Sequence, residues 1–294
     1  MFKKSHPLQS KSEIILRNIV VIAMIAFFSI FLIVPIGIAF AGSFHEWNPL
    51  SGTYNFLGLE NYKEVFTSSL FGKSMLNTLI FSVVVIIFRV GLGLGIAYAI
   101  YSPLVKHKSF FRAIYYMPVV TPMVAVAFVW KFLYNPQIGA INQILGLDIN
   151  WLSNPETALY CVAILTAWLN SGINFLYFSA GLGNIDNTIY ERASVDGASG
   201  VQQFFHLTLP GLSPIMFYTL VVNIIQAFQS FGQIKILTEG GPNETTNVIV
   251  YSIYRDAFFN YRFGSAAAQS VILFFIVMLI TLVMFRIEKK GGKP

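Results

Sequence analysis

The sequence predicts an all-α integral membrane protein: six transmembrane helices with one half-polar loop on the cytoplasmic side. Three observations carry that reading. Of 294 residues, 55% are hydrophobic and 11% are charged, against about 25% charged in an ordinary soluble domain. The apolar residues gather into six runs, each near the roughly 20 residues that cross a hydrocarbon core. The lysines and arginines fall unequally on the two sides of those runs.

Residues 1–18 read as a cytoplasmic tail and 19–41 as the first span. That run is too long for the apolar region of a signal peptide and no small-residue cleavage site follows it, so it is read as retained. The second span, 76–101, carries Arg89, the only charge well inside a span, and "GLGLG" at 91–95. Within an apolar helix, Gly91 and Gly95 are expected to form a close packing face. The third and fourth spans are 115–133 and 158–183, and the fourth holds the single cysteine, Cys161, which excludes an internal disulfide. The fifth and sixth are 215–234 and 265–285, followed by a basic tail at 286–294. With the N-terminus in the cytoplasm, the inner segments hold twelve lysines and arginines and the outer segments six. The positive-inside rule then puts both termini and the 186–209 loop in the cytoplasm.

That loop is the polar interruption in the chain. Asp186 is placed to cap a short helix with Ile189, Tyr190 and Ala193 on its apolar side. Gly197 and Gly200 permit a turn. Val201, Phe204, Phe205 and Leu209 make a second helical stripe, and Pro210 suits the entry to the next element. Two amphipathic helices around a glycine turn could lie on the bilayer surface. The sharper reading is a docking knob, because Ala193, Gly197 and Ala198 let another backbone come close.

Several functions are set aside. The net charge is +6, but the basic residues flank apolar runs and form no nucleic-acid patch. His6, His45, His107 and His206 lack metal-ligand spacing. "FGKS" at 71–74 imitates the end of a phosphate loop, yet Thr67 stands where the first glycine is required. "NET" at 243–245 fits a glycosylation acceptor by spacing alone. An ion-coupled carrier would place Asp, Glu or His in its spans, and these six contain none. A membrane enzyme would need a cluster of nucleophile, base or metal ligands, and no span end carries one. No catalytic or metal-binding residue is therefore assigned.

Asn223, Gln226, Ser230 and Gln233 share one helical face, as do Asn170, Asn174 and Tyr177. Neutral amides offer donors and acceptors to solute hydroxyls. They could also bind helix to helix. Arg89, costly if left unpaired in lipid, is expected to face the bundle or a partner, and could hold a phosphate-bearing solute; the sequence names no partner for it.

"ERASVDGASGVQQFFHLTLP" at 191–210 resembles the Glu-Ala-Ala loop of permease subunits in bacterial ABC importers. The matching residues are Glu191, Ala193, Asp196, Gly197, Ala198, Leu207, Leu209 and Pro210; Arg192 replaces the middle alanine, and Asp186 stands where proline is usual. The resemblance implies a coupling helix seated in a cleft of an ATP-hydrolysing subunit, with Glu191, Ala193, Asp196, Gly197, Ala198, Phe204 and Phe205 at the contact. "FLGLENY" at 56–62, "NTLIFS" at 77–82, "LYNPQIGAINQIL" at 133–145, "LTEGGPNETTNVIVYSIYRDAF" at 237–258 and "FGSAAAQSVILF" at 263–274 are similar to the first permease subunit of carbohydrate importers. The closing stretch resembles glycerol-3-phosphate importers as well. Such subunits lie in the bacterial inner or plasma membrane. They work with a second homologous permease, two ATP-binding cassette subunits and an external solute-binding protein. ATP is expected on those partners, with no cofactor on this chain. In the family the fourth and fifth spans form the solute cavity, which implicates Asn223 and Gln226 first, Asn170 next, and Asn174, Tyr177, Ser230 and Arg89 around them.

Overall fold

The computed structural model describes residues 11–102 and 105–291. Lys3, Lys4 and Lys293 of the expected tails lie outside these residues. The first helix, α1, spans 11–42: an α-helix Lys11–Phe28, a π-helical turn Ser29–Ile33, and Val34–Gly42. Helix therefore starts within the stretch expected to be tail. The wide turn comes directly before Pro35, whose missing N–H and bulky ring are accommodated by such a shift in register.

A hairpin follows, β1 His45–Asn48 and β2 Thr53–Phe56, with His45 opposite Phe56. It is an exception to the all-helical expectation. Asn48 Oδ1 accepts the Leu50 and Ser51 N–H groups in its turn. The hairpin sits against the start of the last helix, where Gly264 lets the His45 carbonyl approach and the Trp47 and Phe263 rings lie 5.3 Å apart.

Helix α2 is Glu60–Thr67 and α3 is Ser69–Tyr101, 33 residues long. At 1.5 Å per residue α3 extends about 50 Å, well beyond a hydrocarbon core of about 30 Å. Its buried stripe includes Val85, Arg89, Gly93 and Ala97. The glycine at the helix contact is thus Gly93, where a Cβ would meet the Asn174 side chain at 2.6 Å. Gly91 and Gly95 are exposed and a Cβ on either would touch nothing else of this chain, so the close approach within the chain uses Gly93 and not the expected pair. The helical period decides this: Gly93 is one turn from Arg89 on the inward face, and its neighbours two residues away point outward.

The third span is not one rod. Helices α4 (Lys108–Val120) and α5 (Met123–Leu133) meet at 95°. Pro122 holds the preceding Thr121 in an extended conformation, φ −80° and ψ 134°, as the clash with a proline ring demands. After α6 (Ala140–Leu145), α7 (Ala158–Gly183) crosses unbroken and packs most extensively on α3. Helix α8 is Asn187–Val195, and α9, Gly200–Gly211, contains a π turn at Phe204–Thr208. Helix α10, Ser213–Phe228, leaves α9 at 68°. The fifth span also stops short of expectation: α10 ends at Phe228, and the chain restarts as α11, Gly232–Leu237. The two interruptions face each other, since the space beside Gly232 is filled by the Met123 side chain. Helices α12 (Ile249–Phe258) and α13 (Phe263–Gly291) complete the chain.

Among the described residues four helices are long and apolar enough to cross a membrane, and six spans result when each bent pair counts as one. One core joins Phe81, Val85, Val162, Leu165 and Ile234. A second, nearer the 186–209 segment, joins Phe175, Phe178, Leu182 and Leu212.

Candidate solute path and docking segment

The polar residues of the fourth and fifth spans converge on Arg89. Its side chain is buried, and Nη1 donates to Asn223 Oδ1 at 3.0 Å and to Gln226 Oε1 at 2.9 Å. Asn223 Nδ2 donates to Asn174 Oδ1 at 3.0 Å and to the Thr219 carbonyl at 2.7 Å. Three helices are thus tied through one layer, and Arg89, for which the sequence named no partner, has two amides. Arg89 Nε has no partner among the described residues.

The amide stripes do not stay together. Asn223 and Asn174 are buried, whereas Gln226, one turn on, is exposed. Ser230 lies in the break after α10, its hydroxyl on the Gln226 carbonyl, and Gln233 belongs to α11. The single face expected over 223–233 therefore ends with α10. Asn170 Nδ2 bonds the Thr166 carbonyl of its own helix. Tyr177 packs edge-on against Tyr218, with ring centroids 5.2 Å apart.

At one end of the bundle lies 186–209. Asp186 accepts the Thr188 N–H at 2.9 Å, and that bond holds its carboxyl below the usual carboxylate range. Gly197 turns the chain at φ +83°, a backbone conformation glycine adopts without strain. Ser199 and Gln202 form a reciprocal capping box at the start of α9. The two short helices are joined by the Tyr190 and Thr208 hydroxyls at 2.9 Å and by Gln203 Nε2 on Ser194 Oγ at 3.0 Å. Ala193, Asp196, Gly197, Ala198, Gln202 and His206 surround an open depression of about 390 Å³. Glu191 is exposed and borders a second depression, about 720 Å³, with Tyr98, Tyr101 and Lys108. Phe205 is exposed, but Phe204 turns inward to Tyr98 of α3 at 4.8 Å. The π turn at 204–208 shifts the helical register, so the stripe Val201–Phe204–Phe205–Leu209 does not share one face.

The opposite end carries a loop that sequence reading left without a structural role. Asn77 Nδ2 donates to the carbonyls of Glu244 and Asn247, at 2.8 and 3.1 Å. Thr78 Oγ1 accepts the Ile249 N–H at 2.8 Å, and Arg255 pairs with Glu244 at 2.7 Å. Glu239, Asn243 and Glu244 all have positive φ, so the loop 238–248 keeps an uncommon backbone shape. Asn and Gly crowding in "EGGPNETTN" is a turn signal; its anchoring on α3 has no local sequence mark.

Residues 90–290 match the family described as binding-protein-dependent transport system inner membrane component. The chain belongs to that family. Its members' permease function makes this chain a transport subunit of an ABC importer in the inner membrane, and the ion-coupled carrier and membrane-enzyme readings fall away. It is 35% identical over 266 residues to the sn-glycerol-3-phosphate transport system permease protein UgpA of Pectobacterium atrosepticum, covering 89% of this chain and 90% of that one. Identity to UgpA of Agrobacterium fabrum is 38% over 240 residues, covering 80% and 82%. The probable ABC transporter permease protein YurN of Bacillus subtilis is 32% identical over 271 residues, covering 90% and 93%. A bacterial ABC transporter involved in import of the acidic polysaccharide alginate shares the fold, with a TM-score of 0.81 at 24% identity over 95% of this chain and 96% of that one.

Proposed function

We propose that this permease forms, with a second homologous permease, the translocation path for a sugar or oligosaccharide. One of two ATP-binding cassette subunits docks on 186–209, the pair hydrolyses ATP, and an external solute-binding protein delivers the solute to the opposite end. Both termini lie in the cytoplasm. The observation that carries the docking assignment is the exposure of this segment. Its two helices are capped and cross-linked by their own side chains, yet Glu191, Asp196, Val195 and Phe205 point into open space around a ready-made depression. Phe204 contributes differently: seated on Tyr98, it would pass a push on the loop into α3. An interfacial resting position is less favoured, because Asp196, Gln202 and His206 crowd the same surface as Ala193 and Ala198.

A second solute class, a phosphorylated polyol such as sn-glycerol 3-phosphate, is favoured by the substrate named for the UgpA relatives. The path residues are Gln226 and Asn223, with Asn170, Asn174, Tyr177 and Ser230 nearby. Uptake should stop when ATP is depleted with ion gradients held. Replacing Gln226 with leucine should impair uptake while the complex still assembles; loss of assembly instead would make Gln226 a packing residue. Membrane-impermeant labelling from outside should reach a cysteine placed at Asn243 but not one at Ser199, and the reverse pattern would overturn the docking assignment.

A further inference from the structure

We infer that Arg89 is the positioning and specificity-determining residue of the solute path: from behind the wall it fixes which end of the Gln226 amide the path meets, and it biases the path towards solutes carrying an oxyanion. This rests on the reading that Gln226 faces the path. A guanidinium has only donors, so both amides that touch it must turn their oxygens inward, Asn223 at 3.0 Å and Gln226 at 2.9 Å. The amide NH2 of Asn223 is consumed inside the bundle by Asn174 and Thr219. That of Gln226 is the group left to point outward from an exposed position. The wall therefore presents a donor where an unconstrained glutamine would present either end.

The charge acts alongside the orientation. Arg89 is 3% exposed and makes no ion pair among the described residues. The three helices meeting there, Ser69–Tyr101, Ala158–Gly183 and Ser213–Phe228, contain no Asp, Glu or His. Only amide and carbonyl dipoles balance the guanidinium, and a low-dielectric surrounding screens it little. One layer of side chain separates it from Gln226's outward face. A fixed, unneutralised cation at that depth draws counter-ions into a cleft. Arg89 itself need not touch solute.

The test uses the assembled importer with Cys161→Ala, which removes the chain's only cysteine, and Gln226→Cys. The thiol is exposed to two methanethiosulfonate reagents of similar size, one ending in a sulfonate and one in a trimethylammonium. Their rate ratio cancels any change in thiolate fraction and is referred to the ratio for 2-mercaptoethanol. With Arg89 present, the sulfonate should be favoured by about tenfold over that reference, the low end of electrostatic focusing in a charged cleft. Arg89→Gln should return the ratio to the reference, and Arg89→Lys should keep most of the preference. A reference-like ratio with Arg89 in place overturns the inference, and that comparison stands even where Arg89→Gln fails to assemble. A purely structural role for Arg89 would leave the ratio unmoved. Failure of both reagents to reach position 226 in the assembled importer, with labelling of the isolated chain intact, would instead overturn the path reading beneath it.

Discussion

The two ends of the bundle are built on opposite plans. At the 238–262 end, side chains far apart in sequence close on one another: Asn77 and Thr78 of α3 bind backbone beyond Gly240, Arg255 holds Glu244, and Asp256 accepts from Gln269. At the 186–209 end, most bonds are local. Asp186 caps Thr188 and Ser199 caps Gln202, while Tyr101 to Asn187 and Phe204 on Tyr98 reach out to α3. One end has spent its polar groups on its own shape, which is what the proposed landing of a solute-binding protein there requires. The other keeps its shape with few ties and leaves charged and apolar side chains uncovered. Fixed geometry suits capture, and an open surface with a narrow link to α3 suits a part that is pushed by something else.

Substitutions should separate the two plans. The largest stability effect is expected from Asn77→Ala, which strips the partner from two backbone carbonyls at once. A loss of about 3 kcal/mol follows from the cost of unsatisfied buried groups, read as a fall in thermal stability and faster proteolysis across 238–248. Thr78→Val, which orphans one buried N–H, should cost less, about 1–2 kcal/mol. If either leaves the loop protected, the 238–262 end is not held as described.

Polar changes at the other end should barely touch the isolated chain and act on the complex. Glu191→Gln removes an exposed charge whose pairing is worth about 0–1 kcal/mol. Its stability should be unchanged and its affinity for the ATPase subunits only slightly reduced, as measured by co-purification across a salt series. A large loss would mean that charge, and not shape, dominates docking. The smallest effect concerns Asp186. Its carboxyl lies below the usual range in the folded chain, so the cap is fully formed above the unfolded value and is lost as pH falls through the folded one. Amide exchange at Thr188 should therefore lose protection only on strong acidification, with none of this in Asp186→Ala.

Much of this was readable from residue order, for identifiable reasons. Six apolar runs, the Asp186 cap and the Gly197 turn are local, and local chemistry is written in neighbouring residues. Even the bend of the third span was spelled out by Thr121–Pro122, although apolar length drew a single rod through it. The break at 229–231 has no proline. Directly after it, Gly232 accepts the Met123 side chain from a helix more than a hundred residues away. Gly93 was missed for Gly91 and Gly95 because a glycine pattern says that backbones approach, but only the buried stripe says on which side. The partners of Arg89 were hidden for the same reason: the amides were visible as stripes, while their meeting with the guanidinium is a product of three helices packing. The Asn77 and Thr78 anchors likewise join α3 to backbone about 170 residues away.

The central claim is that 186–209 is where an ATPase partner seats. Gly197 tests it most directly, being exposed, at φ +83°, with open space around it in the isolated chain. Gly197→Trp adds bulk at the proposed contact. Gly197→Asn, a residue that tolerates positive φ, controls for the turn itself. The measurement is the amount of ATPase subunit retained on the purified complex together with ATP-driven uptake. Retention and uptake should collapse with tryptophan and persist with asparagine. Full retention and coupled uptake with tryptophan at position 197 would contradict the account.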